Sequence, residues 1–352
     1  MTRGTRPVPA IDSNAEDARL VGLVHVSDDD PGIRRRRAGK GFSYVDAEGN
    51  RIADRLVIQR IRKLAIPPAY ADVWICSNPR GHLQATGRDR RGRKQYRYHP
   101  RWRAVRDLGK FSRVIDFGQR LPRLRRALAR DLGLAGLPRG KVLAIVVSLL
   151  AETLIRVGNV RYRDENKSFG LTTLLARHVA FLRGRAQFRF RGKGGLRHAV
   201  AIDDSRLVRL LRRCQQLPGQ TLFQYIDDEN ESRPIDSGMV NDYLFAAMGG
   251  AFTAKDFRTW GATVKAIAVL AEMPFPDPPD PRTLATCVNE AIGHVANTLR
   301  NTPAVCRNSY IHPRVIAAWK AGELHQHFAA GDLRFPRKLE RATLRFLQSS
   351  SA

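Results

Sequence analysis

The order of apolar and polar residues along the chain predicts two regions of different structure. Up to about residue 106, short apolar stretches such as Phe42–Val45 and Val73–Cys76 are separated by turn sequences rich in Gly, Asn, Asp and Pro. This arrangement is typical of antiparallel strands joined by hairpin turns. We therefore predict that this region is β-rich, with some helix such as Asp54–Leu64.

Beyond residue 106 the apolar residues recur at helical spacing. The clearest segment is 141–158, where Gly158 is placed to act as the C-terminal cap of a buried helix. Further helical patterns cover 121–134, 237–249, 255–273 and 281–300. Residues 186–203 differ, because Phe188 and Phe190 alternate with arginines before a Gly-Lys-Gly-Gly turn. This pattern predicts a β-hairpin with Lys193 at its tip.

These patterns together predict an α+β fold. A small β-rich N-terminal domain precedes a larger, mainly helical domain that contains a small β-hairpin sheet. The predicted boundaries are a loose N-terminal arm at 1–20, the β-rich domain at 21–106, the helical domain at 107–330 and a basic C-terminal tail at 331–352.

Composition and charge narrow the class of partner. The 352 residues are 43% hydrophobic, which supports a folded core, yet 61 Lys and Arg against 33 Asp and Glu leave a formal net charge of +28. Such self-repulsion favours an anionic partner, and nucleic acid is the first candidate. The four cysteines are scattered along the chain, which predicts reduced thiols. No motif indicates a metal or other cofactor. The most apolar run, Val142–Ala151, is about half the length needed to span a membrane. With no apolar export segment at the N-terminus, these features predict a cytoplasmic protein with no membrane association.

The strongest candidate surface for nucleic acid is residues 88–106, where nine basic residues and one acidic residue are interleaved with aromatic rings. In an extended segment, Tyr96 and Tyr98 fall on one face and Gln95 and Arg97 on the other. Aromatic rings can pack on sugars or bases, while Gln and Arg can read base edges in the major groove. The alternative is that one face supports the core of the small domain and the other is merely solvated.

A second group of residues suggests chemistry at a phosphate. Tyr310, in the polar segment 301–313, is a candidate surface ring, hydrogen-bonding core residue or nucleophile. A phenol with a pKa near 10 is only about 0.1% ionised at neutral pH, so a nucleophilic tyrosine needs cations and a general acid nearby. Four residues are candidates for these roles: Arg156, Lys193, Arg258 and Asn301.

Each of these four residues also has an ordinary explanation. Arg156 can pair with Glu152 four residues earlier, and Asn301 can cap the helix predicted to begin at Thr302-Pro303. A lysine in a glycine-rich turn and an arginine near the start of a helix are both common surface residues. Their order and spacing along the chain are therefore more informative than any one of them.

The ordered set resembles the type IB DNA topoisomerases of the small poxvirus-like and bacterial branch. The resemblance runs from about Gly41 to Trp319. The motifs that carry it are the lysine-tipped hairpin and the sequences "GRDRRGRKQYRYHP", "LIRVGN", "VGNVRYRDENKSFGLTTL", "KDFRTWGA" and "NTPAVCRNSYIHP".

The resemblance implies roles for the catalytic residues. Tyr310 matches the nucleophile that forms a 3′-phosphotyrosyl bond, and Arg156 and Arg258 match the arginines that stabilise the transition state. Lys193 matches the lysine that protonates the departing 5′ oxygen. Asn301 stands where the viral and nuclear enzymes have a histidine, so it offers a neutral hydrogen bond in place of a charged one.

The resemblance also implies the substrate and its binding residues. It implies a monomer that relaxes supercoiled duplex DNA in the nucleoid by transient single-strand cleavage and religation, without ATP or metal. The residues implied to bind DNA are Arg93, Gln95, Tyr96, Tyr98, Arg161 and Tyr162.

Two other readings remain open at this point. A tyrosine site-specific recombinase shares the Arg-Lys-Arg-Tyr chemistry, but that class usually has a histidine in place of Lys255 and a helical N-terminal domain. A non-catalytic DNA- or RNA-binding protein explains the net charge but leaves the ordered catalytic set as coincidence.

Overall fold

The computed structural model describes residues 13–39, 41–90 and 92–349, and the chain divides into two compact units, Met1–Phe111 and Ser112–Ala352. Residues 1–12 of the predicted arm, like the last residues of the predicted tail (350–352), lie outside the described residues. The rest of the arm forms helix α1 (Ser13–Leu20), and its buried Ala18 packs against Leu23 and Trp102. These contacts give the second half of the arm an ordered place in the first unit.

The first unit is built on a five-stranded antiparallel sheet with the strand order β2-β1-β3-β4-β5. Helix α2 begins where the Asp54 carboxylate accepts hydrogen bonds from two backbone amides, and its Ile61 packs on the core face of the sheet. The elements are β1 (Ile33–Ala38), β2 (Gly41–Val45), α2 (Arg55–Lys63), β3 (Ala71–Ile75), β4 (Leu83–Arg88) and β5 (Lys94–Tyr98).

The second unit is mainly helical, and the predicted α+β class is confirmed. Its helices are α3 (Pro100–Asp131, which begins in the first unit), α4 (Arg139–Thr153), α5 (Val160–Asn166), α6 (Ser205–Gln215), α7 (Ser237–Met248), α8 (Ala254–Glu272), α9 (Pro281–Leu299), α10 (Pro303–Ser309), α11 (Pro313–Lys320), α12 (Leu324–His327), α13 (Ala330–Leu333) and α14 (Pro336–Gln348). Its strands are β6 (Val179–Leu182), β7 (Arg185–Arg191), β8 (Arg197–Ile202), β9 (Gln224–Ile226) and β10 (Ser232–Pro234).

Helix α4 packs against α6, α7 and α8 and is buried along most of its length, including all of Val142–Val147. Helix α3 packs closely on α8, because the missing side chain of Gly118 leaves room for the ring of Trp260. Helix α14 covers the same region and buries Phe346, so the predicted amphipathic tail helix is part of this packing. In the described ranges, no helix combines the length and the apolar character that crossing a bilayer requires.

The small sheet of the second unit contains the predicted hairpin. Strands pair in the order β6-β7-β8, and the register places Phe190 opposite His198 and Arg191 opposite Arg197. Gly194 and Gly195 both have positive φ in the turn that follows Lys193, which a β-carbon would disfavour. The prediction of a hairpin with a lysine at its tip is therefore confirmed.

One predicted helix end is wrong. Helix α4 ends at Thr153, because Leu154 adopts a left-handed conformation (φ 54°) and its amide closes the helix on Leu150. Gly158 is therefore not the cap, and Arg156 lies in the following loop instead of on the helix. The helix stops early enough for the loop to turn towards helices α8 and α9.

Candidate active site

The loop that carries Arg156 is fixed by its own backbone. The Arg156 carbonyl accepts a hydrogen bond from the Leu171 amide at 2.9 Å, and the Val157 carbonyl accepts one from Thr172. A β-carbon on Gly170 would lie only 2.5 Å from the Cα of Gly158, so this close approach of two chain segments requires glycine. The Arg156 guanidinium donates to the Oδ1 of Asn301, and the alternative ion pair with Glu152 is not formed.

Arg258 joins the ends of two helices. It lies on α8, its side chain is only 3% exposed, and it donates hydrogen bonds to the Leu154 and Leu299 carbonyls. Leu154 follows the end of α4, and Leu299 ends α9. A buried guanidinium is costly unless its donors are paired, so these two hydrogen bonds stabilise Arg258 in the interior. They also fix the orientation of the guanidinium group.

Asn301 and Tyr310 flank the short helix α10. Thr302 is the N-cap of this helix, so Asn301 does not cap it and its side chain is available to the site. Tyr310 ends the helix, and the guanidinium carbon of Arg258 lies 5.1 Å from the centroid of its ring. The hydroxyl of Thr263, on α8, is within hydrogen-bonding distance of the Tyr310 carbonyl and accepts from the amide of His312. These contacts bring Arg156, Arg258, Asn301 and Tyr310 into one cluster.

Three buried donors in this cluster have no acceptor among the residues the structure describes. They are Nη1 of Arg156, Nε of Arg258 and Nδ2 of Asn301. A buried donor without an acceptor costs about 1–3 kcal/mol, so such atoms are uncommon in folded proteins. Three of them beside one tyrosine form a site suited to an oxyanion, which accepts several hydrogen bonds at once.

The electrostatics of the cluster favour an anion and an ionised tyrosine. Burial, reinforced by the neighbouring charge of Arg258, lowers the pKa of Arg156 to about 10. Burial alone would raise the pKa of Tyr310. The charge of Arg258 and its hydrogen bonding to the phenol, with the charges of Arg156 and Lys255, outweigh burial, so the pKa is lowered overall. A negatively charged ligand would relieve the repulsion between the two arginines.

Lys193 is not part of the cluster in this conformation. It is exposed at the turn between β7 and β8 and makes no hydrogen bond or ion pair with any described residue. The hairpin nevertheless faces the site through His198, which is 5% exposed and stacks on Phe190 with 4.7 Å between ring centroids. Burial first, then the charges of Arg156, Arg300 and Arg258, lower the pKa of His198 to about 4.

Sequence reasoning missed His198 as a neighbour of the site. The sequence signal that could have found His198 is its position in the predicted hairpin. The register places it directly opposite the inward-facing Phe190. Arg300 and Thr263 were also missed. Arg300 directly precedes the predicted Asn301, and that adjacency is the signal that could have found it. Thr263 is a common residue type on a helix, and only tertiary contacts with Tyr310 and His312 bring it to the cluster.

The residues predicted to bind DNA fall into two groups. In the first unit, Tyr96 and Tyr98 are exposed on one face of β5 with nearly parallel rings 6.0 Å apart. Arg93 forms a salt bridge with Asp89 at 2.7 Å, and Gln95 donates to the same carboxylate.

In the second unit, Arg161 and Tyr162 lie on α5, shortly after the Arg156 loop. Tyr162 is 58% exposed, while Arg161 pairs with Glu165 at 2.7 Å. An exposed aromatic ring next to a surface arginine suits a contact with a nucleic acid backbone.

Comparison with known proteins identifies the family. The family described as "Eukaryotic DNA topoisomerase I, catalytic core" matches residues 99–327, and "Bacterial DNA topoisomerase IB, N-terminal domain" matches residues 41–89. The chain is also 34% identical over 285 residues to the DNA topoisomerase 1B of Acanthamoeba polyphaga mimivirus, which covers 80% of this chain and 85% of the viral protein. The two family matches follow one another along the chain and together span both units. The chain therefore belongs to the type IB DNA topoisomerases, which relax supercoiled DNA.

Proposed function

We propose that this chain relaxes duplex DNA at the cluster formed by Tyr310, Arg156, Arg258 and Asn301. The observation that carries the proposal is the convergence of three buried, unpaired donors beside a tyrosine whose pKa is lowered. A site for cleaving DNA must hold the nonbridging oxygens of a phosphodiester while a nucleophile approaches the phosphorus. The donors and the phenol supply these two functions.

The proposed reaction exchanges one phosphodiester for another. Tyr310 attacks the phosphorus as its phenolate and forms a P–O bond to tyrosine, while the bond between phosphorus and the 5′ oxygen breaks. The departing oxygen takes a proton, which we assign to Lys193. In the reverse step the 5′ hydroxyl returns its proton to Lys193 as its oxygen attacks the phosphorus of the 3′-phosphotyrosyl bond, and Tyr310 leaves as the phenolate. Because the energy of the linkage is retained, religation needs no ATP.

Arg156 and Arg258 are assigned to the two nonbridging oxygens, where negative charge increases in the transition state. Guanidinium groups suit this role because they stay charged and present several donors in one plane. Asn301 contributes one neutral donor through Nδ2, while its Oδ1 holds Arg156 in place. Asn301 therefore both binds an oxygen and positions a cation.

Lys193 reaches the 5′ oxygen, in this proposal, when the β7–β8 turn closes on DNA. A lysine on a glycine-rich turn can move without disturbing the core, and the buried His198 anchors the base of the turn. A β-carbon on Gly192 would lie 2.6 Å from the His198 ring, so the turn and the ring are tightly packed.

We further propose that Arg93, Gln95, Tyr96 and Tyr98 dock the first unit on the duplex. The exposed tyrosine rings would pack on the backbone sugars. Arg161 and Tyr162 would contact the backbone near the cleavage site. The protein would act as a monomer on the DNA of the nucleoid.

Substitution of the nucleophile tests the proposal. Tyr310→Phe should abolish relaxation of supercoiled plasmid, assayed with EDTA and without ATP, because the ring remains but the attacking oxygen is gone. Binding to duplex DNA should persist. Tyr225→Phe, which alters a half-buried tyrosine on β9, is the matched control and should relax plasmid at the wild-type rate. Relaxation by Tyr310→Phe would refute the assignment, and covalent attachment to a 5′ end would refute the proposed polarity.

A further inference from the structure

Arg300 lies between two residues that hold the site arginines. The carbonyl of Leu299 accepts a hydrogen bond from Arg258 at 2.9 Å, and the side chain of Asn301 accepts one from Arg156. Residue 300 therefore connects the backbone acceptor of one site arginine to the side-chain acceptor of the other. The position is a junction of the site, although none of the sequence motifs marks it.

The backbone of Arg300 is in the left-handed region, with φ 49° and ψ 56°, where it caps the C-terminus of α9. Glycine is the usual residue at such a cap, because a β-carbon crowds the neighbouring carbonyl in this conformation. Disfavoured backbone conformations of this kind cluster at functional sites. The strain suggests a role for the side chain that glycine would not fulfil.

The side chain of Arg300 is exposed and has no hydrogen bond or ion pair with any described residue. Its place between Leu299 and Asn301 puts it at the edge of the cluster, and its charge acts with those of Arg156 and Arg258 to lower the pKa of His198. A free guanidinium at the edge of a site for a phosphodiester can bind a neighbouring backbone phosphate in a bidentate manner.

We propose that Arg300 binds a DNA backbone phosphate adjacent to the one that is cleaved. This inference rests on the proposed function of the cluster, because the adjacent phosphate is defined by the cleaved one. Because its side chain is exposed, Arg300 would reach this phosphate from the edge of the site. Arg300 would thus add to the affinity of the site without touching the reacting atoms.

The test is Arg300→Gly, with Arg183→Gly as the matched control. Arg183 is also an exposed arginine with a left-handed backbone (φ 48°), in the β6–β7 turn, and neither neighbouring residue contacts a site arginine in the described structure. Both substitutions relieve the same strain, so both variants should have a melting temperature equal to or above the wild-type value. DNA affinity is then measured against salt concentration, with Tyr310→Phe in every protein to prevent cleavage.

Arg300→Gly should reduce the slope of log K against log salt by about 0.9, the value for one lost phosphate contact, and Arg300→Lys should restore most of it. Arg183→Gly should leave the slope unchanged. An unchanged slope in Arg300→Gly, or an equal loss of slope in both glycine variants, would overturn the role of Arg300. Relaxation of plasmid by the wild-type protein would in that case be unaffected, so the proposed site would stand. Failure of the wild-type protein to relax plasmid would instead overturn the proposed site.

Discussion

Ionisation of Tyr310 is governed by two opposing effects. Burial removes water from the phenolate and raises the pKa, while three nearby cations lower it by a larger amount. The cationic residue types could be predicted from the sequence, since attack of a tyrosine on a phosphate needs cations to stabilise the developing negative charge. The burial of Arg258 between two helix ends could not, because it depends on carbonyls contributed by residues 154 and 299.

Lys193→Ala tests the proton donor at the residue scale. Loss of a general acid slows the step by about 10²–10⁴-fold, so cleavage should slow by this amount while folding is unaffected, since the side chain is exposed. A substrate with sulfur in place of the 5′ oxygen should restore the rate, because a better leaving group needs no proton. The measurement is single-turnover formation of the covalent adduct.

The same sulfur substrate should not rescue Arg258→Ala, which serves as the control because its assigned role is at the nonbridging oxygens. If Lys193→Ala remained slow with the sulfur substrate, Lys193 would position DNA and would not donate a proton.

At the element scale, the paired segments around Gly158 and Gly170 position Arg156. The two loops approach so closely that their backbone atoms leave no room for a methyl group, and hydrogen bonds from residues 171 and 172 complete the contact. The site therefore depends on a rigid connection between loops as much as on the catalytic side chains.

Gly170→Ala should displace the Arg156 loop. Its β-carbon would lie 2.5 Å from Gly158 and 2.6 Å from the Arg156 carbonyl, contacts that cannot be accommodated without backbone movement. We expect a loss of about 1–3 kcal/mol in the free energy of unfolding, measured by denaturant titration. We also expect a fall in cleavage rate under conditions where the variant is still fully folded.

Gly293→Ala is the control for the glycine substitution. A β-carbon there meets no atom within 4 Å, and the residue lies inside α9, so alanine should stabilise the protein by about 0.5–1 kcal/mol and leave cleavage unchanged. Wild-type cleavage by folded Gly170→Ala would show that the loop contact does not position Arg156.

Elements with a strong local pattern could be predicted from the sequence. The hairpin at Lys193 follows from alternation and a glycine turn, and its register confirms it. The end of α4 could not be predicted, because glycine is normally the better cap and here the left-handed residue is Leu154. Gly158 instead lies in close contact with Gly170, a tertiary contact that the local sequence does not reveal.

At the scale of the whole molecule, net charge sets the response to salt. With a charge of +28, the protein should neutralise several phosphates and release their counterions when it binds DNA. If six to ten phosphates are contacted, affinity should fall by about 10³–10⁵ between 50 and 200 mM salt. Binding of the Tyr310→Phe protein to a short duplex, measured by fluorescence anisotropy, checks this expectation. A nearly flat salt dependence would contradict it and would point to binding through uncharged contacts.

The unpaired donors of the cluster have a consequence for the evolution of the chain. Apolar residues of similar size at positions 156 and 301 would remove buried polar atoms that lack acceptors, so they would make the fold more robust. Selection for heat tolerance alone would therefore favour replacing them, and their proposed role at a DNA phosphate is what would keep these residues in place.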